Sequence, residues 1–544
     1  MHITHASLAN ASRPTDARRS SLATRIAPRA MGHAALAGIA ADALLRDGIS
    51  GPGFPIWVLI LILAFASLTW RAQGEVTGEA AMWLGVAALS ACGLVWRDAG
   101  MLQFLDFGAT AGALGMAAIA LGSPHAGIIA ERFRDTIYTG LAAVRVVASG
   151  LAPNLATALH ESQSKPAWKS GTRRGARSAL LAFGILVVFG SLLRSADPIF
   201  ASLISLPDFD LGVAFSHIVF AGVAAWVVCG WANAALGSRL LTTVAPNRLP
   251  FSLDVGDLTS SLGVLITLFA VFMLTQLGWL FGGESLLRAR TGLTAAQYAR
   301  SGFFEMGWVV TLVIPLLLVT RAALVPGREA TRRHTLLSLP LLVLLSGIII
   351  SAAARMQLYV HYYGLTVDRL YPLVFMGWLA FVVLWLGVTV LRNNGQRFIA
   401  GCAASAFLVL VALNVAAPDR VVARYDEGRI VGTDEDAVPD VQYMSHLSAD
   451  AVDVALRATL DTPRAAIGSP ARTAIDDARC VAAGNLVYRW GPTSSAARDN
   501  DAFAAWRIWN AGRVHAVEVV GANMARLRTV QHSLSNRRVG CISS

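Results

Sequence analysis

The sequence has few charged residues for its length, and this scarcity excludes most soluble proteins. Only 15% of its 544 residues are Asp, Glu, Lys or Arg, whereas charged residues make up about a quarter of an ordinary soluble protein. The 5 cysteines are too few for a scaffold held together by disulfides. The chain contains no Walker loop, HExxH, CxxC or dinucleotide-binding glycine motif, so no familiar metal or nucleotide site is indicated. We therefore expect no cofactor and no metal.

Long apolar stretches are what the sequence has in abundance. Hydrophobic residues make up 55% of the chain, and its mean hydropathy is +0.55. About 20 consecutive apolar residues cross a bilayer as a helix. Ten stretches approach or exceed that length: Phe54–Trp70, Glu79–Trp96, Met101–Gly122, Ser178–Ile204, Phe209–Leu236, Leu258–Phe281, Phe303–Leu324, Thr335–Ala354, Tyr371–Leu391 and Phe398–Ala417. The sequence thus predicts an all-α, polytopic transmembrane helix bundle.

An eleventh stretch, Met31–Leu45, is short and contains Asp42, so hydropathy alone does not decide whether it crosses. The charge of the loops does, because cytoplasmic loops carry an excess of Lys and Arg. With eleven spans and a cytoplasmic N-terminus, the inner segments hold 22 basic residues and the outer loops 8; with ten spans the numbers are 13 and 17. We therefore predict eleven spans, with the N-terminus inside and the C-terminus outside.

This topology divides the chain into three regions. Residues 1–30 are polar and rich in Ser and Arg, and we expect a disordered cytoplasmic tail. Residues 31–417 form the transmembrane domain, in which the inner loop 123–176 carries an apolar stripe typical of an amphipathic helix lying on the membrane; a partner-binding helix would show the same pattern. Residues 418–544 have 15 Arg against 15 acidic residues and are expected to form a small helical domain outside the membrane.

The net charge of +11 belongs entirely to the part before residue 418, which has 30 basic and 19 acidic residues. Because those charges lie in loops beside the bilayer, they indicate contact with anionic lipid and not with nucleic acid. Cys480 and Cys541 are the only cysteines of the tail. A tail outside the membrane could oxidise them to a disulfide, although two free thiols are an equally valid interpretation.

Ionisable residues in or beside membrane spans are costly and are therefore candidates for a functional site. On the predicted topology they concentrate in the outer half: Asp106, Arg194, Asp197, Glu305, Arg355, Asp368 and Arg369, with His217, Gln276, Gln357 and His361 near them. If the bundle encloses a polar cavity, it should open outward and be lined by these residues. The alternative is structural, because arginines at helix ends extend to lipid headgroups and Asp197 can simply pair with Arg194.

Glycines at positions 108, 112 and 115 form an extended GxxxG motif within one span. Such a motif lets two helix backbones approach closely. The motif therefore predicts a tight helix–helix contact at this place.

Five stretches of the sequence resemble a known family: SADPIFASL (Ser195–Leu203), GLTAAQYARSGFFEM (Gly292–Met306), RMQLYVHYYGLTVDRLYPLVFM (Arg355–Met376), VARYDEGR (Val422–Arg429) and WRIWNAGR (Trp506–Arg513). They are similar to a bacterial multi-pass inner-membrane family known as domain of unknown function 4173, which is close to the one numbered 4153. The resemblance covers about residues 31–460 and is weaker at WRIWNAGR.

The resemblance implies a bacterial inner-membrane location, many spans and a helical C-terminal region, without an established activity. It places family motifs on Asp197, Tyr298, Glu305, Arg355, Tyr359 and Asp368. Asp426 departs from the family pattern, which has Asn after the Arg-Tyr pair, so a role carried over to that position is in doubt.

These observations favour an integral membrane protein with a binding, sensing or transport role and an outward-facing polar site, and not an enzyme. One alternative is a membrane-embedded transferase that acts on lipid-linked substrates at the outer face. Another is a structural partner of a membrane complex. The expected partners are the lipid bilayer and, in the last case, another membrane protein.

Overall fold

The fold is described from a computed structural model of the chain. The structure describes residues 14–73, 76–122, 147–148, 211–244, 254–291, 303–324, 327–389, 391, 396–431, 440–461, 470–497 and 503–535. The inner loop predicted to be amphipathic and the span Ser178–Ile204 lie outside these residues, apart from residues 147–148.

Helices make up the regular structure of the described residues. Those before residue 417 are α1 (Pro14–Leu45), α2 (Gly53–Gln73), α3 (Gly78–Trp96), α4 (Gly100–Gly122), α5 (Leu211–Val244), α6 (Val255–Thr291), α7 (Phe303–Ala323), α8 (Arg328–Tyr363), α9 (Val367–Thr389) and α10 (Gln396–Ala416). The tail contains α11 (Pro418–Val431), α12 (Val441–His446), α13 (Val452–Asp461), α14 (Pro470–Trp490), α15 (Ala511–Ala522) and α16 (Met524–Ser535), with 3-10 turns at Ala449–Ala451 and Phe503–Ile508.

Among the described residues, 8 helices are long and apolar enough to cross a membrane. They are α2, α3, α4, α5, α6, α8, α9 and α10, and each overlaps a span predicted from hydropathy. The polytopic helical bundle is therefore confirmed, while the number of crossings and their direction stay a prediction. The predicted disorder of residues 1–30 is wrong for residues 14–30, because α1 begins at Pro14.

The doubtful first span, Ala30–Leu45 in the structure, packs inside the bundle. Its buried residues are Gly38 and the alanines at positions 30, 34, 37 and 41, a spacing that places them on one helix face. Gly38 lies so close to α5 that a Cβ there would overlap the backbone of Ala221. Asp42, the residue that argued against a span, pairs with Arg46 at 3.0 Å and His217 at 2.5 Å. Its charge is therefore compensated within the bundle.

Among the described residues, the glycine motif of α4 makes no tight contact with another helix. A Cβ built at Gly108, Gly112 or Gly115 would meet nothing within 4 Å. The close approach occurs instead between α1 and α5, at Gly38 and a row of alanines. Small residues permit such a contact, but whether it forms depends on which face of the helix meets a neighbour.

The membrane helices divide into two groups, each around its own hydrophobic core. The first core is formed by α1, α2, α3, α4 and α5. The second is formed by α6, α7, α8 and α9, together with Phe398 of α10. A smaller cluster of Ala99, Leu102, Tyr371, Leu410 and Leu413 joins the two groups at one end. The interface between the groups is therefore closed at that end by apolar side chains.

The tail forms a third core. Buried residues from α11 to α16 pack together, and Val360 and Leu365 of the membrane part join them. Helix α13 follows Ser448 after a 3-10 turn at Ala449–Ala451. Asn510 caps α15 by accepting a hydrogen bond from the Arg513 N–H at 3.2 Å. The tail is thus a helical unit that shares apolar contacts with the end of the bundle.

Candidate functional site

Three turns of the membrane part contact the tail: residues 46–52, 97–99 and 364–366. In the first turn, Asp47 forms an ion pair with Arg507 at 2.8 Å. The other two turns hydrogen bond to tail residues, as described below. Consecutive antiparallel helices place alternate turns at the same end of a bundle, and these three turns were all predicted to lie outside. We call this end the tail side.

The turn between α3 and α4 is held by two tail segments. The Asp450 carboxylate accepts hydrogen bonds from the backbone N–H groups of Asp98 at 3.0 Å and Ala99 at 3.3 Å. The Asp98 carboxylate accepts one from Arg513 Nε at 2.6 Å. The Asn510 side chain donates to the Arg97 carbonyl at 2.9 Å. Four backbone or carboxylate groups at this helix junction are therefore satisfied by residues more than 350 positions away.

Arg97 connects the tail to the end of α10. Its Nε donates to the Asn414 carbonyl at 2.6 Å and its Nη2 to the Val415 carbonyl at 3.3 Å, carbonyls of the last helical turn that otherwise lack an intrahelical donor. Its Nη1 lies 3.6 Å from the Asp450 carboxylate. Arg97 is 8% exposed and Asp450 is 3% exposed. Loss of either partner would therefore leave a buried charge.

Asp106 lies one step further into the membrane, on α4. Its carboxylate accepts hydrogen bonds from the Asn414 side chain at 2.9 and 3.2 Å, and it is fully buried. Gly93 of α3 faces this carboxylate, and a Cβ there would overlap it. A continuous polar chain thus runs from Asp450 through Arg97 and Asn414 to Asp106. We call these four residues the polar chain.

The turn between α8 and α9 is capped in a similar way. Gly364 has a φ of +78°, a conformation that glycine adopts readily. The N–H of Leu365 donates to the Asp426 carboxylate at 3.0 Å, and the N–H of Val367 donates to the Tyr443 hydroxyl at 2.9 Å. Asp426, the position that departs from the family pattern, therefore has a structural contact of its own.

Burial changes the acidity of two tail groups at this junction. Burial raises the pKa of Asp450, while the hydrogen bond from the Asp98 N–H and the charge of Arg97 oppose the shift. Burial also raises the pKa of Tyr443, against the hydrogen bond from Val367. Because the charged form of a buried acid is disfavoured, the ion pair of Asp450 with Arg97 exists at a cost in desolvation.

A large apolar cavity lies between the two helix groups, beside the polar chain, because Leu105 and Leu413, the sequence neighbours of Asp106 and Asn414, both line it. Its volume is about 880 Å³, within the usual range of small-molecule sites. Residues of α3 and α4 form one wall, and residues of α7, α9 and α10 form the other. Its lining includes Trp83, Leu105, Gly112, Trp308, Tyr371 and Phe407. The cavity differs from the predicted one, because none of the described candidate residues lines it.

The described candidates occupy separate environments. Glu305 is exposed in the first turn of α7, and Asp368 is exposed in the first turn of α9. Arg355 is buried in α8 at 5% exposure. Arg369 donates to the carbonyl of Tyr363 at 2.9 Å and stacks over the Tyr359 ring at 4.2 Å. The hydrogen bonds of Arg369 thus go to backbone groups, and those of Asp106 go to Asn414.

Other predicted residues lie outside the described part of the chain. Arg194 and Asp197 are among them, as are Tyr298 and Cys541. Cys480 is fully buried in α14 and is disulfide-bonded. Its pairing with Cys541 stays a prediction, since the second cysteine is not described. Among the described residues, no group of three His, Cys, Asp or Glu could hold a metal ion.

The residues that sequence reasoning missed are Arg97, Asn414 and Asp450. Arg97 was only one of the 8 basic residues of the predicted outer loops, and Asp450 only one of the 15 acidic residues of the tail. Asn414 stands alone in an apolar run, and this is a signal that could have been used. A buried amide in a membrane helix needs a hydrogen-bond partner on another element, and Asp106 is that partner.

The chain was compared with protein families, curated proteins and solved structures. Residues 84–458 match the family model described as "Domain of unknown function (DUF4153)". The match covers 375 of the 544 residues (458 − 84 + 1). No curated protein matches, and no solved structure matches. The matched region contains α4, α10 and Asp450, and therefore the whole polar chain and most of the cavity lining.

Proposed function

Since the chain belongs to the DUF4153 family, whose description states no activity, we propose that it is an integral membrane protein that binds a membrane-resident ligand. The binding site is the cavity between the two helix groups. This proposal keeps the binding type of function predicted from the sequence and moves its site from the polar residues of the outer half to the apolar interior. The resemblance expected from the sequence is confirmed, with the match falling on the family numbered 4153.

The cavity itself is the observation that carries this proposal. The cavity opens at the surface of the bundle, where its lining residues Trp308 and Met101 are 66% and 49% exposed, so about 880 Å³ of apolar space is accessible to molecules of the bilayer. Its apolar lining favours a hydrophobic molecule, and such molecules are concentrated in the bilayer around the protein. Ligand sites between the helices of bundles are common.

The tail contributes to this site by closing its end. Three residues of the cluster that joins the two helix groups, Tyr371, Leu410 and Leu413, also line the cavity. Because Arg97 and Asp450 hold the tail on the turn beside this cluster, a displaced tail would loosen the closure. The tail is thus proposed as a cap on the periplasmic side of a bacterial inner membrane.

A transferase has less support. General acid or base catalysis needs an ionisable group within hydrogen-bond reach of the substrate. Among the described acids, Glu305 and Asp368 are exposed at helix starts and Asp106 hydrogen bonds to Asn414. A role as structural partner of a membrane complex has no specific contact in its favour among the described residues. We therefore propose binding alone.

A pair of glycine substitutions in one helix tests the proposal. Gly112 lines the cavity, whereas Gly108 does not, and both have room for a Cβ. Gly112→Leu should fill part of the cavity and lower labelling by a photoactivatable alkane at least fivefold in detergent-solubilised protein. Gly108→Leu should label like wild type. Equal labelling of the two variants, at the same thermal stability, would reject the cavity as the site.

A further inference from the structure

Two tryptophans of the tail, Trp506 and Trp509, are exposed on one face of a 3-10 turn. The two residues are 44% and 40% exposed. The turn covers Phe503–Ile508, and the Trp509 N–H continues its pattern by donating to the Trp506 carbonyl at 3.3 Å. Because side chains three positions apart eclipse each other in a 3-10 helix, the two indoles lie on the same face.

The segment between the two tryptophans contacts the ends of α1 and α2. Arg507 forms its ion pair with Asp47 at 2.8 Å and donates to the carbonyl of Ala43, which belongs to the last turn of α1. A Cβ built at Gly51 would overlap the Arg507 carbonyl. The apolar span of α2 begins two residues later, at Gly53. The turn therefore lies at the level at which α2 enters the membrane.

The residue after Trp509 places the second indole at the end of α3. The Asn510 side chain donates to the carbonyls of Leu94 at 3.0 Å and Arg97 at 2.9 Å. Trp96, the last residue of α3, is 47% exposed, and the Arg97 guanidinium stacks over its ring at 4.1 Å. Three exposed tryptophans thus lie at the tail-side ends of α1, α2 and α3.

Tryptophan is enriched at the boundary between lipid headgroups and acyl chains, because its ring is apolar and its N–H is a hydrogen-bond donor. We propose that the tail binds the lipid bilayer directly, with Trp506 and Trp509 inserted into this boundary in the tail-side leaflet. Their N–H groups donate to ester or phosphate oxygens of the phospholipids. This attachment adds to the one made by Arg97 and Asp450. It is separate from ligand binding in the cavity and goes beyond the proposed function.

The position and charge of this surface favour lipid as its occupant. An exposed ring at the level where α2 begins meets the headgroup layer of the bilayer around the bundle. Arg507, the charged residue between the two tryptophans, is already paired with Asp47. The exposed face is therefore aromatic and offers no unpaired charge to a soluble protein partner.

Lipid photolabelling of the full chain in phosphatidylcholine nanodiscs tests the proposal. The lipid carries a diazirine beside its ester group, and mass spectrometry locates the label. The peptides that contain Trp506 and Trp509 should carry at least about fivefold more label than the peptide that contains Tyr488, because rings inside the ester layer meet the diazirine. Tyr488 is the matched control, since it is 81% exposed on α14, a helix that packs within the core of the tail. A water-soluble diazirine should show the reverse preference.

Either of two labelling results would overturn the proposal. Equal lipid labelling of Tyr488 and the two tryptophans would show that the indoles do not reach the ester layer. Stronger labelling of the tryptophans than of Tyr488 by the water-soluble probe would show that the surface faces water and is open to a soluble partner.

A double substitution tests whether the insertion holds the tail. Trp506→Ala/Trp509→Ala keeps Arg507 and Asn510, so the helix ends remain capped, and it removes two rings from the bilayer. The rate of proteolysis within the tail, in the same nanodiscs, should rise at least about fivefold, because apolar area that was buried in lipid is lost. Tyr488→Ala should be cleaved like wild type. A double variant that is cleaved no faster than Tyr488→Ala would contradict attachment of the tail through these tryptophans.

Discussion

The buried ion pair between Arg97 and Asp450 should decide whether the tail stays docked. Arg97→Met keeps most of the side-chain volume and removes the guanidinium, which leaves the Asp450 carboxylate buried without its counter-ion. Breaking a buried pair in this way costs about 3 to 5 kcal/mol. We expect the fraction of molecules with an undocked tail to rise between about a hundredfold and several thousandfold at neutral pH.

The same variant should show a specific pH dependence. The pKa of Asp450 is raised by burial, and without Arg97 it should rise further. An acid whose pKa is higher in the folded state than in the unfolded state binds protons preferentially when folded, so its folded state gains stability as the pH falls. Docking of Arg97→Met should therefore recover as the pH falls through the raised pKa. The double variant Arg97→Met/Asp450→Asn should recover much of the docking at neutral pH.

The assay is the rate of proteolysis within the tail in protein reconstituted into nanodiscs, measured from pH 5 to pH 8. Under conditions where closing is faster than cleavage, this rate reports the population of the open form. Arg526→Met is the matched control, since its ion pair with Asp461 has both side chains 60% exposed and should contribute at most about 1 kcal/mol. If Arg97→Met behaves like Arg526→Met, or loses docking equally at all pH values, the reasoning is refuted.

Three further substitutions give clear expectations. Gly93→Ala should lower the unfolding temperature by the equivalent of about 1 to 3 kcal/mol, because its Cβ would overlap the Asp106 carboxylate. Gly85→Ala, in the same helix, is the control. A Cβ at Gly85 meets nothing within 4 Å, so this variant should be neutral or stabilising. Asp106→Asn removes a buried charge while keeping an acceptor, so we expect an unchanged or higher unfolding temperature; a marked decrease would show that the charge itself is required. Cys480 should react with maleimide in unfolded protein only after reduction, and Cys480→Ser should destabilise the tail by about 4 kcal/mol if the partner is Cys541. Labelling of both thiols without a reductant would exclude the disulfide.

The bundle itself was accessible to sequence reasoning because hydropathy acts locally. Each of the 8 membrane-length helices overlaps a predicted span, and Ala30–Leu45 packs inside the bundle despite Asp42. Residues 46–52, 97–99 and 364–366, which the predicted topology places on one side, all contact the tail. Which side of the membrane they face stays a prediction.

The candidate site was predicted less well. Asp106 was singled out as an ionisable residue of a membrane span, and it is buried, but its partner Asn414 is 308 positions away. Glu305 and Asp368 were candidates by the same rule, yet both are exposed at the starts of helices. The rule identifies charges near the membrane, and it does not distinguish a charge inside the bundle from one at its surface.

The sequence by itself determined that this protein is a polytopic membrane protein of a particular family, because length, hydropathy and motif identity are properties of single segments. Only the tertiary structure decided where the cavity lies and what holds the tail. An apolar residue has the same hydropathy whether it faces lipid, another helix or an internal space, so Gly112 and Gly108 cannot be distinguished before the helices are packed. The contacts of Arg97 with Asn414 and Asp450 likewise exist only once segments more than 300 residues apart meet.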